Sequence, residues 1–123
     1  MLTEAEVLDA LRDCYDPELR CNVVDLGLIR SIAIEHDLDA PGTGIAGVPQ
    51  KHIVKIALIL TNPSEATEAQ TRAQIVNRLA GLEAVGTTAV TILDTPRWTP
   101  NHITPDGRRM LGLDSNPGLI EIL

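Results

Sequence analysis

The chain has 123 residues, of which 44% are hydrophobic and only 2% aromatic, and its formal net charge is −7. This length fits one domain, 1–123, because globular domains most often contain about 100–150 residues. With no Phe, one Trp and one Tyr, the core has to be built from aliphatic side chains. The excess of 17 acidic over 10 basic residues would repel a phosphate backbone, so we expect no nucleic acid partner.

The first residues, MLTEAEVLDA, lack the basic and apolar regions of a secretory signal. The longest apolar run, Ile56 to Leu60, is far shorter than the roughly 20 residues that a membrane-spanning helix needs. We therefore expect a cytoplasmic protein that does not associate with membranes. Since thiols stay reduced in that compartment, Cys14 and Cys21 are expected to be free.

The N-terminal part of the chain predicts a helix followed by a strand. Thr3 and Glu6 form a capping box, and apolar residues then recur at helical spacing, which predicts a helix over 4–14. The Asp-Pro pair at 16–17 ends this helix, because the residue before a proline disfavours helical geometry. Residues alternate between core-facing and solvent-facing over 28–35, which is the period of a strand.

The middle of the chain predicts a second strand, 53–60, and a second helix, 65–82. Three glycines and two prolines lie within 37–50, a composition typical of a flexible hairpin loop. The apolar stripe expected to be buried on the second helix comprises Ala69, Ala73, Ile75, Val76, Leu79, Ala80 and Leu82.

A third strand is predicted over 88–94, followed by an extended C-terminal tail, 95–123, with one short helix over 105–111. The hairpin makes the first two strands antiparallel, and the helix between the second and third strands makes a right-handed crossover to a parallel pair. The sequence therefore predicts an α+β domain in which helices cover one face of a small mixed sheet.

Two polar loops contain most of the candidate functional residues. DPEL, 16–19, joins the first helix to the first strand, and TNPSE, 61–65, joins the second strand to the second helix. Free amides at a helix start attract anions and lower the pKa of acidic groups placed there. A purely structural interpretation makes Ser64 the N-cap of the helix and Glu65 an acid of its first turn. The candidate pocket comprises Asp16, Glu18, Asp25, Thr61, Asn62, Ser64 and Glu65.

Asp25 lies inside the apolar run VVDLGLI, where an unpaired buried carboxylate would be costly. We expect it to cap a turn or to pair with a partner such as Arg30. Cys21 lies beyond the acidic turn and is a candidate metal ligand, although a buried free cysteine also serves as a small apolar side chain. Trp98, the one large aromatic residue, is expected to anchor the tail or to bind a partner.

Three segments in this order resemble a known family. They are DPEL with NVVDLGLI, the strand ending in LTNP before a helix, and DTPRWTPNHITPDGRRMLGL. Together they are similar to the metal-sulfur cluster assembly family that includes SufT and PaaD, also described as domain of unknown function 59. The resemblance covers nearly the whole chain, to Leu113. It implies a non-enzymatic accessory protein of iron-sulfur cluster assembly or transfer that acts through cluster-assembly or apo-client proteins and self-associates.

The family pattern at the second loop resembles T-x-P-x-C-P, with a reactive cysteine at the helix start. This chain has Glu65 at the cysteine position and Ala66 at the second proline. A carboxylate is a poor ligand for an iron-sulfur cluster. Three alternatives follow: Cys14 or Cys21 has taken over ligation, or the domain docks partners and holds no cofactor, or it has diverged to another function.

Two other classes stay open from the residues alone. Two carboxylates with hydroxyl groups suit a hard cation, which makes a cation-binding or small-ligand domain built on Asp16, Glu18, Thr61 and Glu65 the main alternative. A hydrolase using Asp16 and Glu18 as general acid and base ranks last, because no standard catalytic signature and no nucleophile lies near them.

Overall fold

A computed structural model describes residues 2–39, 42, 44–48 and 50–112, and this part of the chain folds as an α+β domain. Its elements, in chain order, are α1 (Glu4–Leu11), β1 (Ile29–His36), β2 (His52–Leu58), α2 (Glu65–Ala80), β3 (Val85–Ile92), a 3-10 turn (Pro100–His102) and α3 (Pro105–Met110). Within these described residues, no helix combines the length and apolar character needed to cross a membrane.

The three strands form one mixed sheet in the order β1-β2-β3. β1 and β2 pair antiparallel, with Ile32 opposite Ile56, and β2 and β3 pair parallel, with Ile56 beside Val90. Both the hairpin and the parallel crossover confirm the predicted fold class. The parallel pair brings the carboxyl ends of β2 and β3 to one edge of the sheet, where the loop that leads into α2 begins.

The core lies on the helix-covered face of the sheet. Every second residue of β2 points into it, including Val54, Ile56 and Leu58, which are at most 1% exposed. The opposite face is solvated and carries an ion pair between Lys55 and Glu35, with the Nζ–Oε2 distance at 2.6 Å. Alternation along β2 therefore separates an aliphatic interior from a polar surface, as the strand period predicts.

The face of α2 that is buried differs from the predicted stripe. Ile75 and Leu79 are fully buried as expected, and Thr71 joins them. The small and branched residues of the predicted stripe, by contrast, are exposed: Ala69, Ala73, Val76 and Ala80. The helix is rotated so that Arg72 donates to the carbonyl of Val90 on β3, a contact that apolar periodicity does not register.

Element boundaries shift by a few residues from the predicted ones. α1 ends at Leu11, three residues early, because the amides of Asp13 and Cys14 donate to carbonyls three residues back and tighten the chain. β3 starts at Val85, since pairing with β2 begins where the amide of His52 donates to Ala84. The flexibility of the 37–50 loop remains a prediction. Residues 40, 41, 43 and 49, and the tail beyond Gly112, lie outside the described residues.

The segment 98–110 closes over a tight turn at 22–27. The amide of Thr104 donates to the carbonyl of Asp25 at 2.8 Å, and the indole N–H of Trp98 donates to the carbonyl of Leu26 at 2.6 Å. At Gly27, with φ of +76°, an added Cβ would lie 2.8 Å from the Cβ of His102 and closer still to its carbonyl oxygen. Backbone therefore rests directly on backbone here, which only glycine permits.

We expect Gly27→Ala to destabilise the fold by about 3 kcal/mol or more, because positive φ and a backbone clash act together. Gly44→Ala is the matched control: its φ is +81°, and no atom lies within 4 Å of the added Cβ. This control should cost only about 1 kcal/mol of backbone strain. Urea unfolding of both variants measures the difference, and equal losses of unfolding free energy would contradict the close contact.

Candidate functional site

The side chain of Asp16 organises the first polar loop. Its Oδ1 accepts from the amides of Glu18 and Leu19, both at 2.9 Å, and its Oδ2 accepts from the hydroxyl of Thr61 at 2.7 Å. Asp16 is 4% exposed. Both carboxylate oxygens are thus engaged by the protein, and the loop after α1 is fixed to the end of β2.

A second bond joins the same two loops. The side-chain amide of Asn62 donates to Oε1 of Glu18 at 3.0 Å, at the exposed surface. Nearby, the amide of Tyr15 donates to Oε1 of Gln74 at 3.1 Å, and Nε2 of Gln74 donates back to the carbonyl of Tyr15 at 3.0 Å. The loop is therefore held by α2 as well. Sequence reasoning missed Gln74, since a glutamine on a helix gives no signal for a bond 59 residues away.

Asp25 belongs to a different network. Its Oδ2 accepts from Asn22 at 2.7 Å and its Oδ1 from the hydroxyl of Thr104 at 2.9 Å, while its amide donates to Oδ1 of Asn22. Asp25 is thus paired, as one of the two expectations had it, but its partners are Asn22 and Thr104 and the suggested partner Arg30 is wrong; the turn itself is capped by the side chain of Asn22. Arg30 lies exposed on β1, whereas Asp25 is 3% exposed in the turn that holds the C-terminal segment.

The start of α2 combines a capping serine with an exposed acid. The hydroxyl of Ser64 accepts from the amide of Thr67 at 3.1 Å, which makes Ser64 the N-cap. Glu65 is the first residue of the helix, and within the described chain its carboxylate makes no hydrogen bond or ion pair. The structure thus brings Asp16, Glu18, Thr61 and Asn62 together by hydrogen bonds and leaves Ser64, Glu65 and Asp25 outside that cluster.

Both cysteines are free and are 1% exposed. Burial raises the pKa of the Cys21 thiol, and the neighbouring carboxylates of Asp25 and Asp16 raise it further. Burial also raises the pKa of Cys14, against a lowering by Arg78. Each thiol is therefore kept protonated at neutral pH, the opposite of what a metal or a sulfur transfer reaction requires. Within the described residues, no three His, Cys, Asp or Glu side chains gather as a metal-binding group.

A cavity of about 570 Å³ opens at the carboxyl ends of β2 and β3. Thr61, Asn62 and the half-buried Trp98 line it. Asp94 and Arg97, which sequence reasoning passed over, also line it. No pattern of spacing marks these two residues, because the walls come together only when the segment after β3 folds back along the sheet edge.

Comparison with known proteins agrees with this fold. A Bacillus anthracis protein described as a domain of unknown function, DUF59, superposes with a TM-score of 0.68 at 19% identity, covering 89% of this chain and 92% of that one. A conserved hypothetical protein of Thermotoga maritima superposes with a TM-score of 0.64 at 25% identity, covering 90% and 95%. The α+β arrangement with three strands is therefore shared with solved structures.

Sequence similarity extends the comparison. An uncharacterized protein of Methanocaldococcus jannaschii is 29% identical over 92 residues, which are 75% of this chain and 82% of that protein. A Mycobacterium tuberculosis protein described as associated with Fe-S complex assembly and repair is 32% identical, covering 88% of this chain and 84% of that one, with a TM-score of 0.49.

A family model described as iron-sulfur cluster assembly protein matches residues 4–42. That stretch includes the loop around Asp16 and the turn around Asp25, the two places where carboxylates hold the backbone together. The match confirms the resemblance that the sequence motifs indicate. The chain belongs to the family of iron-sulfur cluster assembly proteins, the DUF59 family.

Proposed function

We propose that this protein is a non-enzymatic accessory factor in iron-sulfur cluster assembly or transfer, which works by contacting cluster-assembly proteins or apo-clients and does not itself ligate the cluster. Membership of the family supports the part of this proposal that places the protein in iron-sulfur cluster assembly. The observation that carries the proposed mode of action is the placement of sulfur: both thiols are 1% exposed, so neither is presented to a cluster at the surface. We set this role in the cytoplasm, and self-association stays a prediction.

The tip of α2 supports the same interpretation. Free amides at a helix start would lower the pKa of a cysteine there and make a thiolate, the form that binds iron. In this chain, Glu65 occupies the position that the family motif gives to cysteine. An exposed carboxylate at a helix start stabilises the helix, but it is a hard ligand with little preference for an iron-sulfur cluster.

The alternatives gain no support from the geometry. Both carboxylate oxygens of Asp16 accept hydrogen bonds from the protein, and Glu18 accepts from Asn62. A hard cation at this site would have to displace those donors, and a general acid or base needs a carboxylate free to exchange a proton with substrate. We therefore assign Asp16 to holding the two loops in register.

Restoring sulfur at the α2 tip tests the mode of action. We expect Glu65→Cys to react with dithionitrobenzoate at neutral pH at least about tenfold faster than Cys14 and Cys21 in the unmodified protein, because helix-start amides lower a thiol pKa whereas burial raises it. Anaerobic reconstitution with iron and sulfide should leave the unmodified protein and Cys21→Ser colourless. Absorbance of an iron-sulfur chromophore in the unmodified protein, lost in Cys21→Ser, would contradict the proposal. Glu65→Ser is the control for loss of the acid alone.

Capture of binding partners tests whether the protein acts in iron-sulfur cluster assembly. We expect the tagged full chain, used as bait in extracts of its own host, to enrich cluster-assembly factors or apo forms of iron-sulfur proteins over an unrelated acidic bait of similar size. Mass spectrometry of the captured proteins measures this enrichment. Recovery of neither class, from extracts prepared without oxygen, would count against the proposed role.

A further inference from the structure

The cavity at the carboxyl ends of β2 and β3 has features that the proposed function does not yet use. We call it the carboxyl-end groove. Its lining includes Asn62, Glu68, Leu93, Asp94, Arg97 and Trp98. The groove lies outside the ends of two parallel strands, beside the start of the helix that connects them. In open sheets with parallel strands, ligands favour this location.

The rim of the groove holds three charged side chains from three different parts of the fold. Glu68 comes from the first turn of α2, Asp94 follows β3, and Arg97 belongs to the segment that folds back. In the described part of the chain, none of the three makes a side-chain hydrogen bond or an ion pair. Within the described residues Glu65 and Glu83 are also unpaired, but Glu68, Asp94 and Arg97 line one cavity together. The groove therefore concentrates charge that has no protein partner.

The apolar surface of the groove comes from two half-buried side chains, Leu93 and Trp98. Ile59 and Leu60 also line it but are at most 4% exposed, so they present little surface to a ligand. The bond from the Trp98 indole N–H to the carbonyl of Leu26 fixes the one tryptophan of the chain against the groove. Apolar surface on Leu93 and Trp98 beside charged side chains fits a ligand that has an apolar body and a charged end, and a fixed aromatic side chain lowers the entropy cost of binding it.

The signs of the charges identify that ligand. Two carboxylates outnumber one guanidinium, and the whole chain carries a formal net charge of −7, so an anion would be repelled. A neutral apolar ligand would leave the three charges desolvated and unpaired. Lysine and arginine combine an alkyl stem with a cationic end, and a cation over an indole gains a further electrostatic attraction.

We infer that the carboxyl-end groove is the docking site for a basic segment of a partner protein. A lysine or arginine of that segment lays its stem on Trp98 and Leu93 and places its charge between Glu68 and Asp94. Arg97 donates to backbone carbonyls of the segment, which accounts for a cation on an otherwise acidic rim. This inference rests on the proposed function only in taking the partner to be a protein of cluster assembly or one of its clients.

The single tryptophan supplies the readout. The full chain is titrated with the blocked peptide acetyl-Ala-Ala-Lys-Ala-Ala-amide, and emission of Trp98 is followed. We expect saturable binding that weakens with added salt, and affinity at least about tenfold lower for the same peptide with norleucine in place of lysine. Equal affinity for the lysine and norleucine peptides, tighter binding of a glutamate peptide, or binding of free n-butylamine as tight as that of the peptide would each overturn the inference.

Two variants locate the binding. Glu68→Gln and Asp94→Asn should each weaken the lysine peptide about fivefold or more, since each removes one charge contact. Glu83→Gln is the matched control, because it makes the same charge change in the exposed turn before β3, at the opposite end of that strand. Far-ultraviolet circular dichroism verifies that the variants fold. Unchanged affinity in both rim variants, or an equal loss in Glu83→Gln, would overturn the assignment to the groove.

Repeating partner capture with the Glu68→Gln, Asp94→Asn double variant separates this inference from the proposed function. Loss of the captured cluster-assembly proteins in the double variant alone supports the groove as their docking site. Undiminished capture by the double variant would overturn the groove and leave the proposed function standing. Failure of the unmodified chain to capture such proteins, with peptide binding intact, would remove the proposed function and the identity of the partner but not the basic-segment site.

Discussion

The contact between the 22–27 turn and the segment 98–110 is the constraint on which the functional end of the molecule depends. Backbone lies directly on backbone at Gly27, and the contact at Gly107 on α3 is also too close for a side chain, since a Cβ there would lie 2.6 Å from the carbonyl oxygen of Asp25. Thr104 and Trp98 add hydrogen bonds to the same turn. Because the segment after β3 runs back to make this contact, it forms one wall of the carboxyl-end groove and holds Trp98 in place.

Two buried carboxylates also fix the geometry of loops in this domain. The carboxylate of Asp25 accepts hydrogen bonds from the side chains of Asn22 and Thr104. The carboxylate of Asp16 accepts from two loop amides and from the hydroxyl of Thr61. Each is nearly fully buried, and a buried carboxylate is tolerated only when its oxygens accept hydrogen bonds. The two buried acids in the segment that the family model matches therefore fix loop geometry, whereas Glu68 and Asp94, which line the groove, lie outside that segment.

The fold followed from the sequence wherever local pattern and topology rules were sufficient. Alternation over β1 and β2, the capping serine before α2 and the crossover to β3 predicted a mixed sheet with helices on one face. The rotation of α2 did not follow, because an exposed Val76 and a buried Thr71 depend on how Arg72 reaches β3. The sequence placed Asp16 and Thr61 in one candidate pocket, and the structure joins the two by a hydrogen bond. That this group is a functional site stays a prediction. Glu68, Asp94 and Arg97 were missed, since charged residues scattered over 30 positions carry no periodic signal.

The positions of sulfur and charge together favour recognition over ligation as the chemistry of this domain. Thiols that burial and nearby carboxylates keep protonated are poor ligands for iron, and the helix start that would favour a thiolate carries an exposed glutamate instead. The carboxyl-end groove, by contrast, is lined by three charged side chains without protein partners, and the hydrogen bond from Trp98 to the carbonyl of Leu26 fixes its aromatic wall. Preorganisation of this kind lowers the entropic cost of binding. Long-range attraction also increases the rate at which an acidic chain associates with a basic surface. In the proposed role, therefore, the domain brings proteins together with the family fold and without an accessible thiol.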